Sequence, residues 1–171
     1  MNKDNKMREI RIEKVTLNIG VGKAGDELER VERLLHNITG AKPFKTVSKR
    51  RIPEWGIRPG LEIGTAVTLR GKRAEDMLNR LLSGIDRKLS RSKFDDSGNF
   101  SFGIPEYVHI PDVKYDYTVG IVGLSVAVTL SRPGFSISKG RIKRKIGRRH
   151  RITREEAINF ISNKYNLQVS D

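Results

Sequence analysis

The sequence predicts an α+β fold: a mostly antiparallel β-sheet covered by helices on one face, carrying a flexible loop and a basic C-terminal extension. Three observations predict it. Strand-like segments with period-two alternation are interleaved with two amphipathic helical segments. Two strand-like segments follow the first helix with no helix between them, which signals a hairpin rather than a repeated βαβ unit. A late strand then gives way to a cationic block and a last helix.

The elements follow in order. REIRIEKVTLNI, residues 8–19, alternates β-branched and charged residues, as a half-buried strand does. After a glycine-rich turn, Asp26 is the expected N-cap of a helix in which Leu28, Val31, Leu34, Leu35 and Ile38 share one face, and Thr39-Gly40 ends it. PFKTVSKRRI is a short strand with a cationic end, and PEWGIRPG, Pro53 to Gly60, is a loop with two prolines and two glycines around a tryptophan. LEIGTAVTLRG is a strand. KRAEDMLNRLLSGI is a helix with Ala74, Met77, Leu78, Leu81 and Leu82 on its apolar face. LSRSKFDDSGNF is turn-rich, SFGI and YVHIPDV are short extended pieces, and GLSVAVTLSRPG is the clearest late strand. Thr153 and Glu156 form a capping-box pattern before a final helix, so a basic loop over 139–154 and a helix over 153–165 complete one expected domain, 1–171.

Composition narrows the function. The chain holds 34 Lys+Arg against 20 Asp+Glu, a net charge of +14, and self-repulsion of that size is relieved by a polyanion, of which nucleic acid is the commonest in the cytoplasm. There is no cysteine, which excludes disulfides, thiolate zinc sites and cysteine nucleophiles. His36, His109 and His150 lack metal-ligand spacing, so no metal site is expected. The N-terminal residues MNKDNKMREI contain no apolar stretch of signal-peptide type, and no run approaches a membrane span; a cytoplasmic protein is expected.

Gly20, Gly22 and Gly25 in NIGVGKAGD have the spacing G-x-G-x-x-G. A dinucleotide site would require an acidic residue at the end of a parallel strand about 20 residues on. The sequence has the cationic KTVSKRR there, and a tight turn with close backbone approach is the better reading. No P-loop, nucleophile elbow or His-Glu metal motif is present, so neither an enzyme nor a bound cofactor is expected.

Lys42, Lys45, Lys49, Arg50 and Arg51 form one cationic cluster. Lys139 to Arg154 forms another, with nine Lys or Arg and no acidic residue, and such a block is expected to be flexible until it meets an anion. Flexible cations interleaved with Gly, Ser and Thr suit phosphate contact. An aromatic signature of the RNP type is missing, so base stacking on the sheet is not predicted. Trp55 is either a core anchor or an exposed contact.

In order along the chain, KVTLNIGVGKAG, TGAKPFKTVSKRRIPEWGIRPGLEIGTAVTLRGKRAEDMLNRLL, FDDSGNFSFGIPEYVHIPDVKYD and GLSVAVTLSRPGFSI resemble the large-subunit ribosomal protein L-five family, from about residue 8 to about residue 167. The tail after GFSI resembles the archaeal and eukaryotic branch. The resemblance implies a structural protein that binds 5S rRNA with a sheet face and helps attach it in the central protuberance. It implies 5S rRNA contacts from Asn18 and Thr68, while a glutamine that other members use falls on Ala41, leaving Lys42 or the backbone to replace it. Gly20, Gly22, Lys45, Lys49, Arg50 and Arg70 complete the expected 5S rRNA surface. The loop with Trp55, Gly56, Ile57, Arg58, Pro59 and Gly60 is the expected arm toward P-site tRNA. Lys139, Arg141, Lys143, Arg144, Lys145, Arg148, Arg149 and Arg151 are expected on large-subunit rRNA. Other implied partners are neighbouring central-protuberance proteins and a small-subunit protein across the subunit interface. An NAD(P)-binding enzyme using the GVGKAG turn and a non-ribosomal RNA-binding module are the alternatives.

Overall fold

The computed structural model describes residues 5–23 and 25–170; the first four residues and Ala24 of the glycine-rich turn lie outside the described residues. A five-stranded antiparallel sheet is built from β1 (Arg11–Gly20), β2 (Phe44–Val47), β3 (Glu62–Leu69), β5 (Phe100–Ile104) and β6 (Leu124–Ser131), in the order β2-β3-β1-β6-β5. A small parallel pair joins β4 (Lys88–Ser90) to β7 (Gln168–Ser170). The helices are α1 (Asp26–Thr39), α2 (Lys72–Ser83) and α3 (Arg154–Tyr165).

Period-two alternation makes the sheet two-faced. In β1, Ile12, Val15, Leu17 and Ile19 are buried, as are Val126, Val128 and Leu130 of β6 and Phe100, Phe102 and Ile104 of β5. Against this face α1 packs Val31, Leu34, Leu35 and Ile38, and α2 packs Ala74, Met77, Leu78, Leu81 and Leu82. The buried side chains, with Ile152, Ala157, Ile161 and Tyr165 of the C-terminal part, form a single cluster. The opposite sheet face receives no helix, and that asymmetry positions the site.

Three expectations need correction. The N-cap of α1 is Gly25, at φ 131°, not Asp26; Asp26, Glu27 and Glu29 occupy the first turn, where negative charge complements the helix dipole. YVHIPDV is not a strand, because Tyr107–His109 closes a 3-10 turn and buries Tyr107. The turn-rich stretch LSRSKFDDSGNF overlaps β4, which pairs with β7, a register that no local pattern announces. The Thr153–Glu156 capping box is present in both its hydrogen bonds.

Candidate nucleic-acid interface

Register places small and polar residues in rows across the open face. One row runs Phe44, Ala66, Asn18, Ser125, Gly103; the next runs Thr68, Thr16, Ala127, Ser101; another runs Thr46, Gly64, Gly20. Asn18 and Thr68 are both exposed, and neither side chain makes a hydrogen bond among the described residues. Threonine keeps the β-branched preference for a strand while exposing a hydroxyl, and Ala and Gly leave the surface flat. At Gly64 flatness is enforced: a Cβ there would lie 2.7 Å from the Ile19 carbonyl and 2.9 Å from Thr46 Oγ1.

The G-x-G-x-x-G turn closes this face at one end. Gly20 pairs with Gly64, and the amides of Val21 and Gly22 both donate to the Ile63 carbonyl, at 2.9 and 2.8 Å. Those amides are consumed, and both neighbours of β1 run antiparallel to it. A dinucleotide site needs free amides and a parallel neighbour, so the dinucleotide reading is withdrawn.

The predicted cations divide. Lys42, Lys49 and Arg50 are exposed on the segments flanking β2, where Ser48 Oγ donates to the Arg50 carbonyl at 2.8 Å. Lys45 lies elsewhere: opposite the fully buried Thr65, it faces the helix side and pairs with Glu62 at 3.0 Å. The Glu62 carboxylate holds the Lys45 ammonium above its ordinary range. Arg70, past the end of β3, reaches Glu13 at 3.7 Å, and Lys139 pairs with the same carboxylate. Glu13 sits at a β-bulge between Ile12 and Lys14, the kind of irregularity that re-aims a side chain. It thus ties the C-terminal basic loop to the central strand of the sheet. Sequence reasoning missed it, although a lone acid among the cations and β-branched residues of this strand was a visible signal.

The Pro53–Gly60 loop is a small closed structure. Ile52 and Ile57 exchange backbone hydrogen bonds of 2.9 and 3.0 Å around a 3-10 turn, and the Gly60 amide donates to the Ser48 carbonyl at 2.9 Å. Gly56 and Gly60 take φ of 66° and 84°, which favours glycine. Trp55 is 70% exposed, whereas Ile57 is buried. Trp55, Arg58 and Pro59 therefore form the outward surface, and Ile57 is the anchor rather than a contact.

In the C-terminal segment, 139–147 has no helix or strand, and Arg148–His150 forms a 3-10 turn. Arg141, Lys143, Arg144, Lys145, Arg148, Arg149 and Arg151 are exposed and form no ion pair among the described residues. The segment is nevertheless tied down. Arg132, 5% exposed at the end of β6, donates to the carbonyls of His150 and Arg151 at 3.3 and 3.1 Å and pairs with Glu156 at 2.9 Å. Burial pushes the Glu156 carboxyl up, but the Thr153 amide and the Arg132 guanidinium outweigh that and hold it below its ordinary value.

One end of the molecule differs in charge. α1 presents Asp26, Glu27, Glu29 and Glu32 interleaved with Arg30 and Arg33, and the nearby 112–116 segment adds Asp112 and Asp116 around Lys114, a small acidic excess in a basic chain. There Tyr115, Tyr117 and Ile121 are 57%, 85% and 68% exposed. The turn carrying them is fixed by the Tyr107 hydroxyl, which accepts from the Asp116 amide at 2.9 Å, and by Arg30, which donates to the Thr118 carbonyl at 3.1 Å. A groove of about 480 Å³ lies beside it, lined by Gly20, Glu27, Arg30 and Thr118 among others, without a cluster of acid, base and nucleophile.

A flat polar sheet face, bordered by unpaired cations and backed by a helical layer, defines a basic α+β protein of the RNA-binding class. Comparison with known proteins names the family. The model of the family described as Ribosomal protein L5 matches residues 5–58, and the model of that family's C-terminus matches residues 62–160. A Nanoarchaeum equitans protein named large ribosomal subunit protein uL5 is 50% identical over 168 residues, covering 97% of this chain and 99% of its own. Its namesake from Sulfurisphaera tokodaii is 48% identical over 167 residues, covering 96% and 94%, and that from Methanococcus aeolicus is 44% identical over 167, covering 95% and 92%. The chain belongs to the ribosomal protein L5 family.

Proposed function

We propose that the chain is a structural constituent of the large ribosomal subunit, not an enzyme, and that it binds 5S rRNA with its open sheet face and helps attach it in the central protuberance. Family membership supports the ribosomal role. The observation that carries the RNA reading is the pair Asn18 and Thr68: two exposed, unbonded polar groups on adjacent rows of a flat face. The minor groove of A-form RNA is wide and shallow and displays 2′-hydroxyls, so a surface of Ser, Thr, Asn, Ala and Gly can approach it closely and hydrogen-bond to it. Lys42, Lys49, Arg50 and Arg70 border the face for phosphates.

The other partners distribute by charge. The arm with Trp55, Arg58 and Pro59 reaches P-site tRNA, and the seven unpaired cations of the C-terminal loop bind large-subunit rRNA. The end with Tyr115 and Tyr117 suits protein neighbours, including a small-subunit protein, because exposed aromatics stand there among mixed charges rather than in a cationic surface. Residues 1–171 act as one RNA-binding unit in the cytoplasmic ribosome.

The test is binding of isolated 5S rRNA by the parent, Asn18→Ala and Thr68→Ala chains across a salt series. Each substitution is expected to cost about 1–3 kcal/mol of affinity if its RNA partner is left buried and unpaired. Asn18→Ala should leave the melting temperature nearly unchanged, since the side chain is exposed and unbonded, while Thr68→Ala loses at most about 1 kcal/mol of strand preference, so affinity is compared per folded molecule. Parent affinity should fall roughly a thousandfold between about 50 and 200 mM salt if six or so phosphates are neutralised. A parent chain that binds 5S rRNA weakly and without salt dependence refutes the reading.

A further inference from the structure

Phe44 breaks the composition of the open face. Register puts it directly opposite Ala66, which in turn lies opposite Asn18, so all three share that face. Phe44 is 53% exposed, while Phe100 and Phe102, the other phenylalanines of the sheet, are buried on the helix side. Among the described strand residues of the five-stranded sheet, Phe44 is the one aromatic side chain on the open face. Ala66 is 3% exposed, so the floor of the row is covered, and the ring and the Asn18 amide stand as its two exposed ends. Two strand spacings, about 10 Å, separate them. Beside this row, the exposed Gly20 presents backbone with no side chain, while Gly64 opposite it is buried.

We propose that Phe44 stacks on an unpaired nucleobase of the bound RNA, next to the position that Asn18 contacts. This rests on the reading that 5S rRNA meets the open face. RNA rather than protein is favoured by the segment that follows the strand: Lys49, Arg50 and Arg51 are all exposed and form no ion pair among the described residues, while Lys42, before the ring, lines a groove beside Glu29 and Glu32 of α1. Every base has a π-face and stacks on an aromatic ring without sequence preference, whereas an asparagine amide can read a base edge. A ring and an amide about 10 Å apart place the stacked base beside the position that Asn18 contacts. The sequence could not reveal this, because a strand of four residues with one clear apolar anchor fits either parity.

The experiment measures 5S rRNA affinity and its salt slope for the parent, Phe44→Ala, Phe44→Leu and Phe44→Trp chains. Thermal melts confirm that each is folded. Stacking predicts that Ala and Leu weaken binding alike, by about tenfold, that Trp preserves it, and that the salt slope stays unchanged in all. A Leu variant equal to the parent would overturn stacking, because it keeps apolar bulk without a π-face. An Ala variant equal to the parent would overturn any RNA contact by this ring. The same result with reduced capture of other subunit proteins would also overturn it, in favour of a protein contact. If the parent itself fails to bind 5S rRNA, the underlying reading falls and this proposal with it; a binding parent and an unaffected Ala variant remove this proposal alone.

Discussion

Arg132→Ala is the substitution with the largest consequence derivable from the structure. Its guanidinium is almost fully buried and holds three groups at once: the Glu156 carboxylate at 2.9 Å and the carbonyls of His150 and Arg151 at 3.3 and 3.1 Å. Removing one partner of a buried pair costs about 3–5 kcal/mol, since the other charge is left uncompensated. The Glu156 side chain is 39% exposed and retains its bond with the Thr153 amide at 3.0 Å, so it rehydrates in part. The lower end, about 3 kcal/mol, is therefore expected. At 171 residues that corresponds to roughly 6–12 °C in melting temperature. The pH dependence carries a second signature. The Glu156 carboxyl is held below its ordinary 4.5 in the folded state, so its contribution is present above that value and is lost as pH falls through the lower, folded value. Arg132→Ala removes one cause of the depression and flattens this acid limb. Urea denaturation of parent and variant between pH 3 and 7 measures both effects. A variant within about 1 kcal/mol of the parent at pH 7, with the same acid limb, would refute the role assigned to this arginine. Binding of 5S rRNA per folded molecule should be unchanged, because Arg132 lies off the open face.

Gly64→Ala should destabilise the chain by about 1–3 kcal/mol, since its Cβ would lie 2.7 Å from a backbone carbonyl that β1 holds in place; a variant melting with the parent would show that the strands yield more easily than the geometry implies. Arg58→Ala should leave folding and 5S rRNA affinity unchanged, because the side chain is exposed on the arm, while ribosomes carrying it hold P-site tRNA less firmly; equal tRNA retention withdraws the assignment.

Much of the architecture was legible because local pattern and tertiary role coincide. The five apolar positions of α1 and the five of α2 are the ones the fold buries. Asn18 and Thr68 could be placed as strand residues, and their resemblance-based role is compatible with an exposed, shared face. What remained hidden depends on pairing over distance. β4 acquires its partner from β7 about 80 residues away, and nothing in LSRSK encodes it. Lys45 and Phe44 are neighbours in a cationic cluster, yet parity sends one to the helix side and the other to the open face. Arg132, at the end of the late strand GLSVAVTLSRPG, carried no local signal, yet it is buried and structural. Trp55, ambiguous in sequence, stands exposed because Ile57 takes the anchoring position in its turn.

A sheet with one uncovered face faces a conflict, because the residues that favour strands are mostly the ones that water disfavours. The open face resolves it by composition: Thr16, Thr68 and Thr129 keep β-branching, Ser101, Ser125 and Asn18 keep polarity, and Ala66, Ala127, Gly20, Gly64 and Gly103 avoid bulk. Small residues weaken a strand, since they pack little and, for glycine, cost backbone entropy. Stability alone would favour larger cross-strand pairs there, which contribute roughly 0.2–1 kcal/mol each. Flatness over three central strands is thus a departure from what folding favours, and it occurs where the chain also gathers unpaired cations. In the helical layer behind the sheet, by contrast, acids and bases are interleaved, as Asp26, Glu27, Glu29 and Glu32 are with Arg30 and Arg33 in α1, so the excess of cations lies in the β2 segment and the C-terminal loop. A polyanion is drawn to those cations more than to the helices before any contact forms, which raises the on-rate of that orientation at low ionic strength. The α1 side, where acids and bases nearly balance and Tyr115 and Tyr117 stand exposed, lacks that attraction.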